Sequence, residues 1–141
     1  MDDVENFDFV RRCWNESMRL QPPAPGSSTN CFSKTIKIKG VEFTPRTGFV
    51  LNFDAIHKDP KEWIDPLTFN PDRFDPTSKM YLRPDGQMRN PFSFCPFFGG
   101  KRICLGKTLA EFMTVFTLPL VMYHFDFEFV NPDHMKNKPN F

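Results

Sequence analysis

The ten residues 97–106, Phe-Phe-Gly-Gly-Lys-Arg-Ile-Cys-Leu-Gly, constrain this chain more than any other segment. Cys104 lies between Gly100 and Gly106, and apolar residues spaced three and four apart from Leu105 onward predict a helix. A cysteine binds metal as the thiolate, although an unperturbed thiol has a pKa of about 8.5. The expected position of Cys104, at the positive end of a helix dipole, stabilises an anion by about 0.3–1 kcal/mol. The segment is therefore typical of a loop that keeps a thiolate ionised.

The neighbours of Cys104 suit a flat ligand with carboxylate groups. Gly100 and Gly106 remove side chains where the backbone must turn or where a ligand must approach closely. Phe97 is placed to cover the sulfur and exclude water, and Arg102 offers a forked cation suited to a carboxylate. Backbone N–H groups after the cysteine can donate to the sulfur, and a bound metal would complete its ionisation.

The segment resembles the haem-binding signature of the cytochrome P450 family, Phe-x-x-Gly-x-Arg-x-Cys-x-Gly. All of its specified positions are present, namely Phe97, Gly100, Arg102, Cys104 and Gly106. The resemblance implies that these residues bind haem b and that Cys104 is the axial iron ligand. It also implies a haem-thiolate monooxygenase, which inserts one atom of dioxygen into a small organic substrate. Electrons would come from an NAD(P)H-dependent reductase or another redox partner, and donation from the thiolate favours O–O cleavage.

A second pair of motifs supports the same family. Glu16 and Arg19 lie three residues apart on a predicted helix, and residues 69–74 read Phe-Asn-Pro-Asp-Arg-Phe. A Glu-x-x-Arg spacing alone is usually a solvated surface pair. Together, the segments resemble helix K of the family and its later Pro-Glu-Arg-Phe segment, with Asp72 replacing the glutamate. The resemblance implies a structural triad of Glu16, Arg19 and Arg73, whose buried charges would be costly to separate.

The middle of the chain predicts short strands followed by a long irregular connection. Residues 35–38 alternate as a half-buried strand, and Lys39-Gly40 turns into a second strand at Val41–Phe43. Residues 49–53 form an apolar run that predicts another strand. Residues 74–94 are rich in Pro, Gly and Asn and lack periodicity, as does the meander that precedes the cysteine loop in the family.

We therefore expect an α+β fold, the proximal carboxyl-terminal part of the cytochrome P450 fold, truncated at both ends. Its parts would be helix K, a small β-sheet, the meander, the cysteine loop and helix L, all within one partial domain at residues 1–141. The first helix should end before Pro22, and Pro119 should kink or end the helix after Cys104.

The length of the chain leaves its own activity open. Complete family members are several times longer, and their central helix carries an acid-alcohol pair for oxygen activation that has no counterpart here. We expect no catalytic residue within this chain and expect it to be inactive alone, needing the remainder of its own domain as a partner. The alternative is a non-catalytic truncated remnant or partial gene model that binds haem weakly or not at all.

Composition excludes several other classes. The 18 basic and 17 acidic residues nearly cancel, so nucleic-acid binding has no support. Four cysteines without a framework suggest a reducing compartment. No apolar run reaches the roughly 20 residues of a membrane span. Eukaryotic relatives are commonly tethered to the cytosolic face of the endoplasmic reticulum membrane by an amino-terminal helix, which is not in this chain.

Two other site types fit poorly. A zinc site needs close Cys or His pairs, whereas the four cysteines form no Cys-x-x-Cys and the three histidines, His57, His124 and His134, show no helical pairing. A phosphate-binding loop ending in Gly106-Lys107-Thr108 would need a glycine where Lys101 stands. Lys101 and Lys107 could help dock an acidic redox partner, although solvated surface lysines fit the pattern equally well.

Overall fold

The computed structural model describes residues 3–128 and 130, so His134 and the carboxyl-terminal residues from 131 onward lie outside the described residues. In chain order the elements are α1 (Asp3–Leu20), β1 (Asn30–Cys31), β2 (Ile36–Ile38), β3 (Val41–Phe43), β4 (Gly48–Phe49), α2 (Phe53–His57) and α3 (Lys107–His124). Short 3₁₀ turns occur at Pro71–Phe74, Lys79–Tyr81 and Gly100–Arg102. No helix in the described range is long and apolar enough to cross a membrane.

The predicted hairpin is confirmed. Strands β2 and β3 pair antiparallel, with Ile36 opposite Phe43 and Ile38 opposite Val41. The connecting Lys39 and Gly40 have φ values of 47° and 84°. Positive φ at both central residues is the feature of a two-residue turn whose twist matches that of the strands. The turn chemistry of the sequence therefore fixes the register of this hairpin.

The predicted apolar strand at residues 49–53 is wrong. Strand β4 ends at Phe49, where it pairs antiparallel with β1, and Phe53 is already the first residue of α2. The physical reason is Asn52, whose side chain accepts a hydrogen bond from the Ala55 backbone N–H at 3.0 Å. An asparagine N-cap of this kind starts a helix even within an apolar run.

Helix α3 differs from its prediction at both ends. It begins at Lys107 with Gly106 as the N-cap, two residues later than predicted, and continues past Pro119 to His124. A proline inside a helix removes one backbone hydrogen bond, here the one from residue 119 to the carbonyl of Val115. The bonds that follow are intact, since the N–H of Phe125 still donates to Val121 at 3.0 Å. Pro119 therefore does not end this helix, and the predicted kink stays a prediction.

The long irregular connection after Phe74 is confirmed and is built from side-chain-capped turns. The side-chain oxygens of four residues accept backbone N–H groups two positions later at 2.9–3.1 Å, namely Asp75, Ser78, Asp85 and Asn90. Asp, Asn and Ser form such turns readily. Each turn satisfies a backbone donor that a strand ladder would otherwise pair.

An ionic cluster lies at the centre of the described structure. Glu16, Arg19 and Arg73 all have fully buried side chains. Arg19 donates its Nε and Nη2 to the two carboxylate oxygens of Glu16 at 2.7 and 2.9 Å, and Arg73 donates its Nε to Oε1 at 3.0 Å. The backbone N–H of Asn70 donates to the same Oε1 at 2.9 Å. The structure thus brings the three predicted side chains into direct contact.

The second positive charge of this cluster is solvated by backbone carbonyls. Arg19 Nη1 donates to His57 at 2.9 Å and to Pro66 at 2.6 Å. Arg73 Nη2 donates to Asp65 at 2.6 Å and to Thr68 at 3.0 Å, and its Nη1 donates to the carbonyl of Ile64. Burial lowers the pKa of Arg73, and the charge of Glu16 opposes that effect.

Trp63 extends the cluster toward the irregular connection. Two guanidinium groups lie over its fully buried ring, with Arg89 Cζ at 4.2 Å and Arg19 Cζ at 5.1 Å from the ring centroid. Both distances fall within cation–π range. Arg89 also donates to the backbone carbonyls of Met80 and Arg73 at 3.0 and 2.5 Å. Burial lowers the pKa of Arg89 to about 10, so it remains charged at neutral pH.

Helix α3 exposes a broad apolar surface. Several large apolar side chains on and just before it are more than half exposed, namely Leu105, Leu109, Phe112, Met113, Phe116 and Leu120. Among the described residues of α3, Val115 is the one buried apolar residue. Exposed apolar patches of this extent mark surfaces that pack against something else.

We expect Glu16→Ala or Arg73→Ala to lower the free energy of unfolding of the full-length protein by about 3–5 kcal/mol, because each substitution leaves a buried charge without its partner. Chemical denaturation followed by circular dichroism measures the change. Arg11→Ala is the matched control, since Arg11 is an exposed arginine on the same helix, and it should change stability by less than about 0.5 kcal/mol. Equal effects of Arg73→Ala and Arg11→Ala would contradict the importance of the cluster.

Candidate functional site

The cysteine loop begins with a tight turn. The N–H of Phe98 donates to the carbonyl of Cys95 at 3.0 Å, and Pro96 occupies the second position, where its fixed φ suits a turn. Phe98 and Gly100 then adopt φ values of 66° and 64°. Gly100 tolerates that conformation without strain, whereas a phenylalanine rarely adopts it. The backbone conformation therefore favours the predicted glycine at position 100.

A second hydrogen bond brings Cys104 back to the start of the loop. Its N–H donates to the carbonyl of Phe97 at 2.9 Å, and its own carbonyl accepts from Lys107 at 3.3 Å. The Cys104 side chain is exposed and lies three residues before the first residue of α3. The unpaired N–H groups of a helix amino terminus favour a nearby anion. The geometry thus presents Cys104 to the exterior, close to the amino end of α3.

Aromatic contacts tie the loop to the preceding helices. Phe97 is half-buried, and its ring centroid lies 5.8 Å from that of Trp14 on α1. Phe98 packs edge-on against Phe53 of α2 at 4.9 Å. Phe97, predicted to cover the sulfur, therefore also anchors the loop to α1.

Gly106 has no requirement for glycine within the described chain. Its φ is −82°, and a Cβ added there would meet only the sulfur of Cys104, at an ordinary 3.9 Å. Neither backbone strain nor packing of the described residues excludes a side chain. The space beside the sulfur is therefore free to receive a flat group, which is the role predicted for Gly106.

The cations of the site divide into free and paired groups. Arg102 and Lys101 are exposed and form no hydrogen bond or ion pair within the described part of the chain. Lys107 lies 3.7 Å from Glu111 on the next turn of α3. Arg102 is thus available for an external carboxylate, two residues before Cys104.

The other cysteines are less suited to metal binding. Burial raises the pKa of the Cys13 and Cys95 thiols, which keeps them protonated at neutral pH. Cys31 is exposed and lies in β1, paired with Gly48. No group of three or more His, Cys, Asp or Glu side chains that could hold a metal ion occurs among the described residues. A haem needs only one axial protein ligand on this side, and Cys104 with Arg102 supplies a donor set that fits it.

Sequence reasoning missed one residue of the site region. His57 is fully buried at the end of α2, and its Nε2 accepts the backbone N–H of Cys95 at 3.0 Å. The only available signal was its four-residue spacing from Phe53, which would have suggested one helix face. A contact between residues this far apart in the sequence leaves no local pattern by which it could be predicted.

Comparisons with known proteins agree with this geometry. A family model described as Cytochrome P450 matches residues 1–141. Melianol synthase CYP71BQ4 of Citrus sinensis is 30% identical over 135 residues, which cover 96% of this chain and 25% of that protein. Cytochrome P450 4F8 of Homo sapiens is 32% identical over 136 residues, which cover 94% of this chain and 24% of that protein.

Solved structures give the same result. A zebra fish cytochrome P450 with abiraterone superposes with a TM-score of 0.68 at 27% identity, covering 86% of this chain and 27% of that chain. The retinoic acid-bound cyanobacterial CYP120A1 matches with the same TM-score, identity and coverage. The chain spans about a quarter of the length of the curated relatives it matches. The family model covers residues 1–141, so this chain belongs to the cytochrome P450 family.

Proposed function

We propose that this chain is the haem-ligating part of a haem-thiolate monooxygenase. The observation that carries the proposal is the exposed sulfur of Cys104 at the amino end of α3, beside a glycine that the chain's own packing does not require. A haem b bound there through a thiolate would supply dioxygen activation, so that one oxygen atom enters a small organic substrate. Family membership supports an oxidoreductase activity of the monooxygenase type.

The residues of the loop would have separate roles in holding the group. Cys104 would provide the axial thiolate, and Arg102 would pair with a propionate as a forked cation. Gly106 would leave room for the flat ring beside the sulfur. Phe97 and Gly100 would maintain the shape of the loop, the first by packing on Trp14 and the second through its positive φ.

The partner that the apolar face of α3 requires is the remainder of the same domain. The exposed side chains of Leu109, Phe112 and Phe116 are apolar and lie on one continuous helix. The chain spans only about a quarter of its curated relatives, so those proteins contain the segments that would cover this face. The substrate pocket and the route for protons would then lie in those other segments. For a eukaryotic source we propose the cytosolic face of the endoplasmic reticulum membrane, on family membership alone.

Replacing Cys104 with serine in the full-length protein should abolish the thiolate-type absorption band of the ferrous carbonyl complex together with activity. Serine is a poor iron ligand and cannot donate electron density as a thiolate does. Cys95→Ser is the matched control and should leave the band intact. If the band persisted in Cys104→Ser and disappeared in Cys95→Ser, Cys95 would be the ligand.

Replacing Arg102 with alanine should speed haem loss to an apo-globin acceptor by roughly tenfold to a hundredfold, because a hydrogen bond to a charged group contributes about 1.5–3 kcal/mol. The neighbouring Lys101→Ala should leave the loss rate within about twofold of the unmodified protein, because a lysine without a defined contact contributes little. Equal rates of haem loss for the two variants would contradict the proposal that Arg102 pairs with a propionate.

We also propose that Lys101 helps dock an acidic redox partner, with Lys107 contributing less because of its pairing with Glu111. A double Lys101→Glu, Lys107→Glu variant should slow the first electron transfer from the reductase by roughly tenfold at low ionic strength, and added salt should narrow the difference. Lys37→Glu, an exposed change on β2, is the control. An unchanged reduction rate with unchanged salt dependence would remove the docking role.

A further inference from the structure

His57 connects two parts of the molecule that the motifs treat separately. Its imidazole Nε2 accepts the backbone N–H of Cys95 at 3.0 Å, and its backbone carbonyl accepts from Arg19 Nη1 at 2.9 Å. The residue is fully buried. One side of His57 therefore contacts the ionic cluster, and the other contacts the first residue of the turn that opens the cysteine loop.

The hydrogen bonds continue from Cys95 to the proposed ligand. The carbonyl of Cys95 accepts the N–H of Phe98 at 3.0 Å, which closes the turn. Within that turn, the carbonyl of Phe97 accepts the N–H of Cys104 at 2.9 Å. Fixing the backbone of Cys95 thus fixes the turn that orients the backbone of Cys104.

The surroundings of the ring favour its role as an acceptor. The rings of Phe53 and Phe94 lie 6.4 and 5.4 Å from it. Burial and the charge of Arg19 lower the pKa of His57 to about 4, so the imidazole is neutral at pH 7. A neutral imidazole with an acceptor at Nε2 carries its proton on Nδ1. The backbone groups of Met18 and Arg19 partly oppose this lowering of the His57 pKa. Nδ1 nevertheless completes no hydrogen bond of ordinary geometry within the described structure.

Packing alone does not explain a histidine at this position. A phenylalanine would fill a site between Phe53 and Phe94 at least as well, and it would leave no unpaired ring nitrogen. It would, however, leave the N–H of Cys95 without its acceptor inside the protein. A part-buried donor that loses its acceptor is destabilising, so the acceptor explains a histidine at this position.

We propose that His57 is a positioning residue for the cysteine loop. Its Nε2 accepts the Cys95 N–H, and its backbone carbonyl contacts the ionic cluster, so His57 couples that cluster to the turn that orients Cys104. This inference rests on the proposed function, in which Cys104 ligates haem. It assigns no contact between His57 and the haem or the substrate.

Three variants of the full-length holoprotein separate the acceptor from the bulk of the ring. His57→Phe keeps an aromatic ring without an acceptor. His57→Gln and His57→Asn carry the same amide, but only the glutamine oxygen reaches the position of Nε2. Two readouts apply to each variant, namely amide hydrogen exchange of Cys95 by mass spectrometry and the fraction of the ferrous carbonyl complex that shows the thiolate-type band.

We expect His57→Phe and His57→Asn to speed exchange of the Cys95 amide by about tenfold or more and to lower the thiolate-type fraction. His57→Gln should restore both readouts to within about threefold of the unmodified protein. If exchange at Cys95 were unchanged in His57→Phe, or if Gln and Asn gave the same loss, the positioning role would be overturned.

A measurement on the unmodified protein covers the case in which the variants fail to fold. In nitrogen-15-labelled protein, a scalar coupling between the Cys95 amide and His57 Nε2 across the hydrogen bond is expected, and its absence would overturn the proposal. A different result would contradict the proposed function. If the unmodified protein showed no thiolate-type band, haem ligation by Cys104 would be excluded and the positioning role would go with it, whereas the exchange data would still report on the hydrogen bond.

Discussion

The burial of one carboxylate against two guanidinium groups is the constraint on which the rest of this structure depends. Glu16 neutralises one positive charge, and the other must be solvated without water, because Arg19 and Arg73 are fully buried. Backbone carbonyls between residues 57 and 68 supply that solvation. The segment therefore has to wrap around the two arginines, with Asp65 held at a φ of 46° so that its carbonyl faces Arg73.

The same cluster helps to explain how an irregular connection can hold Cys104 in a defined position. The connection between residues 75 and 99 contains no strand and only one short 3₁₀ turn, so no ladder of hydrogen bonds holds it. It is held instead by Arg89 on Trp63, by capped turns, and by the bond from Cys95 to His57. Few apolar side chains are buried among the described residues, namely Met18, Phe53, Trp63 and Val115. Polar contacts, more than apolar packing, therefore hold this connection in place.

The sequence predicted those features whose cause is local. Three such features follow from backbone preferences of single residues, namely the end of α1 before Pro22, the hairpin turn at Lys39-Gly40 and the positive φ of Gly100. The approach of Arg73 to Glu16 is not local, and it was accessible only through resemblance to a family. The strand predicted at 49–53 does not extend beyond Phe49, because the cap at Asn52 starts a helix. Of the kink or end predicted at Pro119, the end does not occur, because one missing hydrogen bond does not end a helix. His57 was missed because its partners, Arg19 and Cys95, are each 38 residues away.

The central claim is that this polar framework presents Cys104 as the sulfur ligand of a haem iron. X-ray absorption at the iron edge of the ferric full-length protein tests it most directly, because sulfur and the lighter nitrogen and oxygen ligands scatter differently. We expect one sulfur neighbour of iron in the unmodified protein and none in Cys104→His. An iron surrounded by nitrogen and oxygen alone in the unmodified protein, or a sulfur neighbour that persists in the variant, would contradict it.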